Sequence, residues 1–193
     1  MENFILYFKM GLYHVLDFSA YDHILFLIVL AVVFGFNQWK KVLWLVTFFT
    51  IGHSLTLGLS AYGILEMRMD IIEFLIPLTI FITGWINILS AKKRGIGKEN
   101  INLILALFFG LIHGLGFSNY FKMMIGREED KLFPLLEFAL GIEVSQITIV
   151  LGVLVLGSLL QNFFRVNKRD WVLVASSIVI GFSIQMMMDR VFW

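Results

Sequence analysis

Four histidines and a few carboxylates carry the reactive chemistry available to this chain. His14, Asp17, Asp22 and His23 lie in "GLYHVLDFSAYDHILFL", His53 in "TFFTIGHSLTL", His113 in "FFGLIHGLGF" and Glu143 in "ALGIEVSQI". There is no cysteine, which excludes thiolate metal sites, disulfides and cysteine nucleophiles. Imidazole nitrogen is a ligand for nickel, cobalt, zinc and copper, and a carboxylate adds charge neutralisation. Three imidazoles and one carboxylate make a tetrahedral or larger site without sulfur. The same set can also hold a zinc ion that activates water, with Glu143 or Asp22 as general base.

Every one of these residues falls in or beside an apolar stretch. The chain has 193 residues, 59% of them hydrophobic, and a mean hydropathy of +0.87. Soluble domains hold about 45–50% apolar residues, so the expected class is all-α, a polytopic membrane helix bundle. Windows long enough to span, about 20 apolar residues, fall at roughly 20–37, 41–63, 70–91, 99–119, 133–161 and 169–188. That predicts about six transmembrane helices in a single integral-membrane domain, 1–193. The residues before the first window begin acidic rather than basic and lack a small-x-small cleavage site, so they read as an amphipathic lead-in rather than a signal peptide. A net charge of +1 leaves no footprint for nucleic acid. The expected partners are membrane lipid and a metal ion; the oligomeric state is open.

Hinge charges set the orientation. Lys40, Lys41, Lys92, Lys93, Arg94, Lys98, Arg165, Lys168 and Arg169 fall on one side, against Lys9, Arg68, Lys122, Arg127, Lys131 and Arg190 on the other. Because Lys and Arg concentrate on the cytoplasmic side, both termini are predicted to face outward from a bacterial-type inner (plasma) membrane. In that frame Asp22 and His23 open the first span at its outer end. His53 and Glu143 lie ~15 Å, and His113 ~9 Å, from the outer ends of theirs, at about 1.5 Å per residue.

Ionisable groups within spans are costly and face the bundle interior, so agreement in depth points to one shared site. His23, His53, His113, Asp22 and Glu143 are the expected metal ligands, with His14, Ser54 and Gln146 in supporting positions. Asp22 also suits a helix N-cap, and His14 and Asp17, which precede the first window, read as interfacial. Thr47, Thr50 and Ser54 form a polar stripe on the second span. Gly110 and Gly114, four apart around His113, permit close helix approach. Thr79, Thr83, Asn87 and Asn102 offer a neutral polar route inward.

Taken together, Asp-His, His-Ser, His-Gly-Leu-Gly-Phe and Glu-x-x-Gln in these stretches resemble the HupE/UreJ family of membrane proteins, from the first span to the fifth. The spacing of His14 from Asp22–His23 is longer than a His-x5-Asp-His element, and no Pro-His-x-x-Glu-x-Pro element is present. The resemblance is therefore to a second branch of the family. It implies a transition-metal role for His23, Asp22, His53, His113 and Glu143, in a permease for nickel or cobalt. A zinc-dependent intramembrane hydrolase acting on a lipid or membrane-anchored peptide is the alternative expectation, as is a metal-stabilised accessory protein. No Walker-type phosphate loop and no Gly-x-Ser-x-Gly elbow occur in the sequence, so transport is expected to be secondary and serine hydrolysis is not expected.

Ligating histidines must be neutral. Lowering the pH through ~6.5, the ordinary histidine value, is therefore expected to release bound metal progressively. Metal content after equilibrium dialysis across a pH series measures this.

Overall fold

The structure, a computed structural model, describes residues 2–17, 21–91, 99–126, 128 and 130–193, with the backbone alone at 2, 3 and 99–102. Lys92, Lys93, Arg94, Lys98 and Arg127 of the hinges, and the side chain of Asn102, lie outside the described residues. Among the described residues there are seven α-helices and no strand: α1 (Glu2–Leu16), α2 (Asp22–Ala31), α3 (Trp39–Ala61), α4 (Met69–Ala91), α5 (Glu99–Ile125), α6 (Leu132–Asn162) and α7 (Lys168–Asp189). Five are long and apolar enough to cross a membrane: Phe36–Ala61, Met69–Ala91, Leu103–Ile125, Leu132–Asn162 and Lys168–Asp189. The all-helical membrane class expected from composition is the class observed.

The window at 20–37 contains a shorter helix than its hydropathy suggests. α2 has 10 residues, about 15 Å of helix, half of a ~30 Å hydrocarbon core. Asp22, His23, Leu25, Phe26, Leu27, Val29 and Ala31 are all buried, and Ile24, Ile28 and Leu30 are half-buried, as expected of a segment apolar almost all round. It packs against α4, α6 and α7 and touches α1. Its end is fixed from outside: Asn87 of α4 donates through Nδ2 to Val29 O at 2.7 Å. Phe34 N–H then closes a tighter turn onto Ala31 O, and the chain passes through Gly35 and a 3-10 turn (Phe36–Gln38) into α3.

Two interfaces bring helix backbones into direct contact. α3 packs mainly on α5, where Gly52 lies against Leu107 O, Gly110 against Phe49 O and Gly114 against His53 O. A Cβ at any of the three would overlap a carbonyl, so the pairing is open only to glycine. α1 lies along α6 in the same manner, with Gly11 against Phe138 O and Gly141 against Phe8 O. Ser145 adds a hydrogen bond from Oγ to Leu12 O at 2.9 Å, and Tyr7 Oη donates to Glu128 at 2.9 Å. Thus α1, expected as an amphipathic lead-in, is docked on α6 of the bundle. Lys131 Nζ donates to Ala61 O at 2.8 Å, tying the start of α6 to the end of α3.

The glycine contacts predict a sharp contrast in stability. Gly114→Ala should cost about 1–3 kcal/mol through overpacking. Gly152→Ala, where nothing stands within 4 Å of the added carbon, should leave stability unchanged or slightly raised. Thermal unfolding of the two purified variants in detergent gives the comparison.

Candidate metal centre

The backbone contacts that join α3 to α5 also place two imidazoles, since His53 follows Gly52 and His113 precedes Gly114. α1 supplies His14 from its last turn and α2 supplies His23 from its first. His23 is the hub: its ring centroid lies 4.7 Å from His14, 5.6 Å from His53 and 5.3 Å from His113. His14 and His53 are 5.7 Å apart. One ligand nitrogen from each of His14, His23 and His53 lies within 4.8 Å of the others. Phenylalanines wall the cluster, with Phe117 3.9 Å from His14 and Phe49 5.1 Å from His113, ring to ring.

The hydrogen bonds around these rings are few. His23 Nδ1 faces Asp22 Oδ1 at 3.2 Å, and His113 Nε2 faces Thr79 Oγ1 at 3.1 Å. His14 Nε2, His23 Nε2, both nitrogens of His53 and His113 Nδ1 are buried with no hydrogen-bond partner. Buried polar atoms are otherwise almost always paired. One nitrogen from each of three helices converging in this way, with a fourth imidazole beside them, fits the donor requirements of a divalent transition metal. With Nδ1–H donated to Asp22, His23 keeps a lone pair at Nε2, the carboxylate–histidine arrangement that fixes tautomer and ring orientation at metal sites.

Asp22 is itself held from the opposite side. Arg190, just past α7, lies with Nη1 3.7 Å from Asp22 Oδ2, and the same nitrogen donates to Glu73 O at 3.3 Å. That carbonyl is available because of Pro77, inside α4. Proline has no N–H, so the carbonyl four residues earlier loses its helical partner. A relay results: Pro77 frees Glu73 O, Glu73 O and Asp22 anchor Arg190, and Asp22 anchors His23. In its own segment Arg190 is no more than a hinge charge. Its one available signal was Pro77 four residues after Glu73 in an apolar window.

The expected site residues are distributed unevenly. His23 and His53 stand with His14 in the group of three converging nitrogens, His113 lies beside His23 outside that group, and Asp22 lies behind His23. His14, read as interfacial, stands inside that group, because the docking of α1 on α6 carries its last turn inward. Glu143 and Gln146 meet Thr47 and Thr50 of α3, at 2.6 and 2.9 Å. Ser54 Oγ is buried without a partner.

Two clefts reach the histidines. One, of about 400 Å³, is lined by Asp17, Asp22, His23, Glu73, His113 and Arg190; the other, of about 460 Å³, by Met10, Tyr13, Asp17 and Tyr120. His14 and Phe117 line both. Of the neutral residues on α4, Thr79 touches His113, whereas Thr83 and Asn87 line a separate cavity of about 80 Å³ with Val29 and Ser90.

If the relay orients His23, Arg190→Gln should weaken metal binding about 10- to 100-fold, the usual cost of losing an outer support. Arg190→Lys should recover part of the loss, and Arg68→Gln, at an exposed ion pair with Asp70, should have no effect. Titration with cobalt(II), followed by its absorption spectrum, reads both affinity and ligand geometry.

The comparisons with known proteins bear on the whole chain. Residues 1–190 match the family model described as HupE / UreJ protein. No curated protein and no solved structure matches the chain. A match of that extent takes in all seven helices and every residue of the histidine cluster: the chain belongs to the HupE/UreJ family.

Proposed function

We propose that this protein carries a divalent transition metal, of the nickel and cobalt class, across the membrane, and that His14, His23 and His53 bind it. His113 is the fourth imidazole at the site and Asp22 orients His23. The observation that carries this reading is the set of five buried imidazole nitrogens without hydrogen-bond partners. The metal is the cargo, so its donors must hold it without trapping it. Neutral imidazoles, with the nearest carboxylate shared between His23 and Arg190, meet that need better than a ring of free carboxylates.

The hydrolase alternative needs a carboxylate free to act on a metal-bound water. Asp22 is engaged by His23 and Arg190, and Glu143 meets Thr47 rather than the grouped histidines, which favours transport. The excess of Lys and Arg on the opposite side supports an outward-facing histidine cluster in a bacterial-type inner membrane. With no phosphate-binding loop in the sequence, transport runs on a gradient or the membrane potential.

Metal analysis of the purified protein, paired with uptake into proteoliposomes, tests the proposal. Stoichiometric nickel or cobalt and uptake above empty liposomes are expected, with both lost in His23→Ala and His53→Ala while the variants still insert. Bound zinc without uptake would transfer the site to hydrolysis, and wild-type protein that binds no divalent metal would refute the reading.

A further inference from the structure

Open space lies on both sides of the histidine centre, in the same order on three helices. Along α5, Gly116 and Phe117 line a cleft, His113 belongs to the centre, and Phe109 lines the cavity of about 80 Å³. Along α4 the order is Glu73 and Ile76 at the cleft, Thr79 against His113, then Thr83 and Asn87 at the cavity. Along α2 it is Asp22 and His23, then Phe26 against His113, then Val29. On α3, Leu45 lines the cavity one turn before Phe49. Residues three or four apart stand one above the other on a helix face. The cavity is therefore about one turn, ~5.4 Å, beyond the centre, on the side away from the clefts.

One aromatic layer stands between the two. Phe26 is 0% exposed, and its ring lies 5.2 Å from His113, 4.8 Å from Phe49 and 6.0 Å from Phe109. It thus packs on an imidazole and on a wall of the cavity at once. Phe49 is mounted on the α3–α5 seam, where its carbonyl meets Gly110; Phe26 belongs to the short α2 and is free of that seam. A polar edge runs beside the rings: Thr79 Oγ1 meets His113 Nε2 at 3.1 Å, and Thr83 Oγ1 donates to Thr79 O at 2.8 Å. At the cavity, Asn87 Nδ2 is taken by Val29 O at 2.7 Å and Ser176 Oγ at 3.4 Å. A carbonyl accepts only from the amide nitrogen, so Val29 O fixes the amide and leaves Oδ1 to accept. A volume of about 80 Å³ has room for more than one water, at ~30 Å³ each in the liquid, and Thr83, Asn87 and Ser90 offer such waters polar partners.

We propose that this cavity is the chamber into which the histidine centre releases its metal, and that Phe26 is the gate between them. The proposal rests on the transport reading above and adds the route to it. Clefts, centre and chamber form one file along α2, α4 and α5, and the chamber reaches Ser90, next to the last residue of α4. Neutral hydroxyl and amide oxygens hold a transition metal more weakly than imidazole does. An ion that passes Phe26 therefore moves from tight donors to loose ones and to water, which is the order release requires. With Phe26 in place, the centre is closed on the chamber side and open to the clefts.

The test uses the full-length chain in proteoliposomes, with cobalt(II) as the probe. Phe26→Ala should raise the initial rate of uptake about 10-fold. Ala106→Leu, which enlarges a side chain in the chamber wall, should lower that rate about 10-fold. Both variants should keep stoichiometric cobalt binding, and Ile104→Leu, at an exposed position of α5, should change neither rate nor binding. The chain has no cysteine, so Ser90→Cys introduces a single thiol. Coupling a charged methanethiosulfonate to it from the side opposite the clefts should stop uptake, while the same reagent leaves the wild type unaffected. Undiminished uptake by fully labelled Ser90→Cys would overturn the proposal, even if the Phe26 and Ala106 variants failed to fold. So would wild-type rates in Phe26→Ala and Ala106→Leu with binding intact; in either case wild-type uptake would leave the transport reading standing. Absence of uptake by the wild type would remove both.

Discussion

A nitrogen buried in a helix bundle without a hydrogen bond is an energetic debit that the rest of this structure is arranged around. Each unsatisfied buried polar group costs on the order of 1–3 kcal/mol, and five such nitrogens belong to one histidine cluster here. Their sum approaches the whole stability margin of an ordinary domain, about 5–15 kcal/mol. Folding alone gives no reason to gather four imidazoles from four helices in one place. Coordination of an ion does, because it satisfies several lone pairs at once.

The scaffold that holds them uses little side-chain machinery. Glycine contacts let α3 meet α5, and α1 meet α6, carbonyl to Cα, so helix separations are set by backbone. α2 is buried over most of its surface and offers only its first turn to the cluster. Where a charge is needed for orientation, it comes from beyond the end of α7, through Arg190 and a carbonyl that Pro77 releases. A proline that would be a defect in a soluble helix here provides an acceptor at the rim of the site.

Much of this was legible in the sequence, for stated reasons. Apolar length makes the long helices plain, and agreement in depth alone sets His23, His53 and His113 at one level of the bundle. Gly110 and Gly114 announced a close contact, although not that α3 was the partner. Hydropathy could not see that α2 stops at Ala31, because the following Val32, Val33 and Phe34 are as apolar as the helix itself; the stop is made by Asn87, 58 positions away. The same limit left His14 a supporting or interfacial residue, since its place depends on the docking of α1 on α6, and hid Arg190, whose role depends on a missing N–H in another helix. Glu143 has the right depth, but its rotation about α6 brings it to Thr47, and depth carries no information about rotation.

The glycine seam between α3 and α5 also fixes where the site can be adjusted. Carbonyls touching Cα atoms leave no side chain whose rotation could widen that seam, so His53 and His113 share a single rigid frame. The other two imidazoles belong to α1 and α2, the two shortest helices. Half of the histidine cluster is thus mounted on fixed spans and half on short segments. The aperture of the centre has two hard edges and two that can be tuned by sequence changes remote from the histidines themselves.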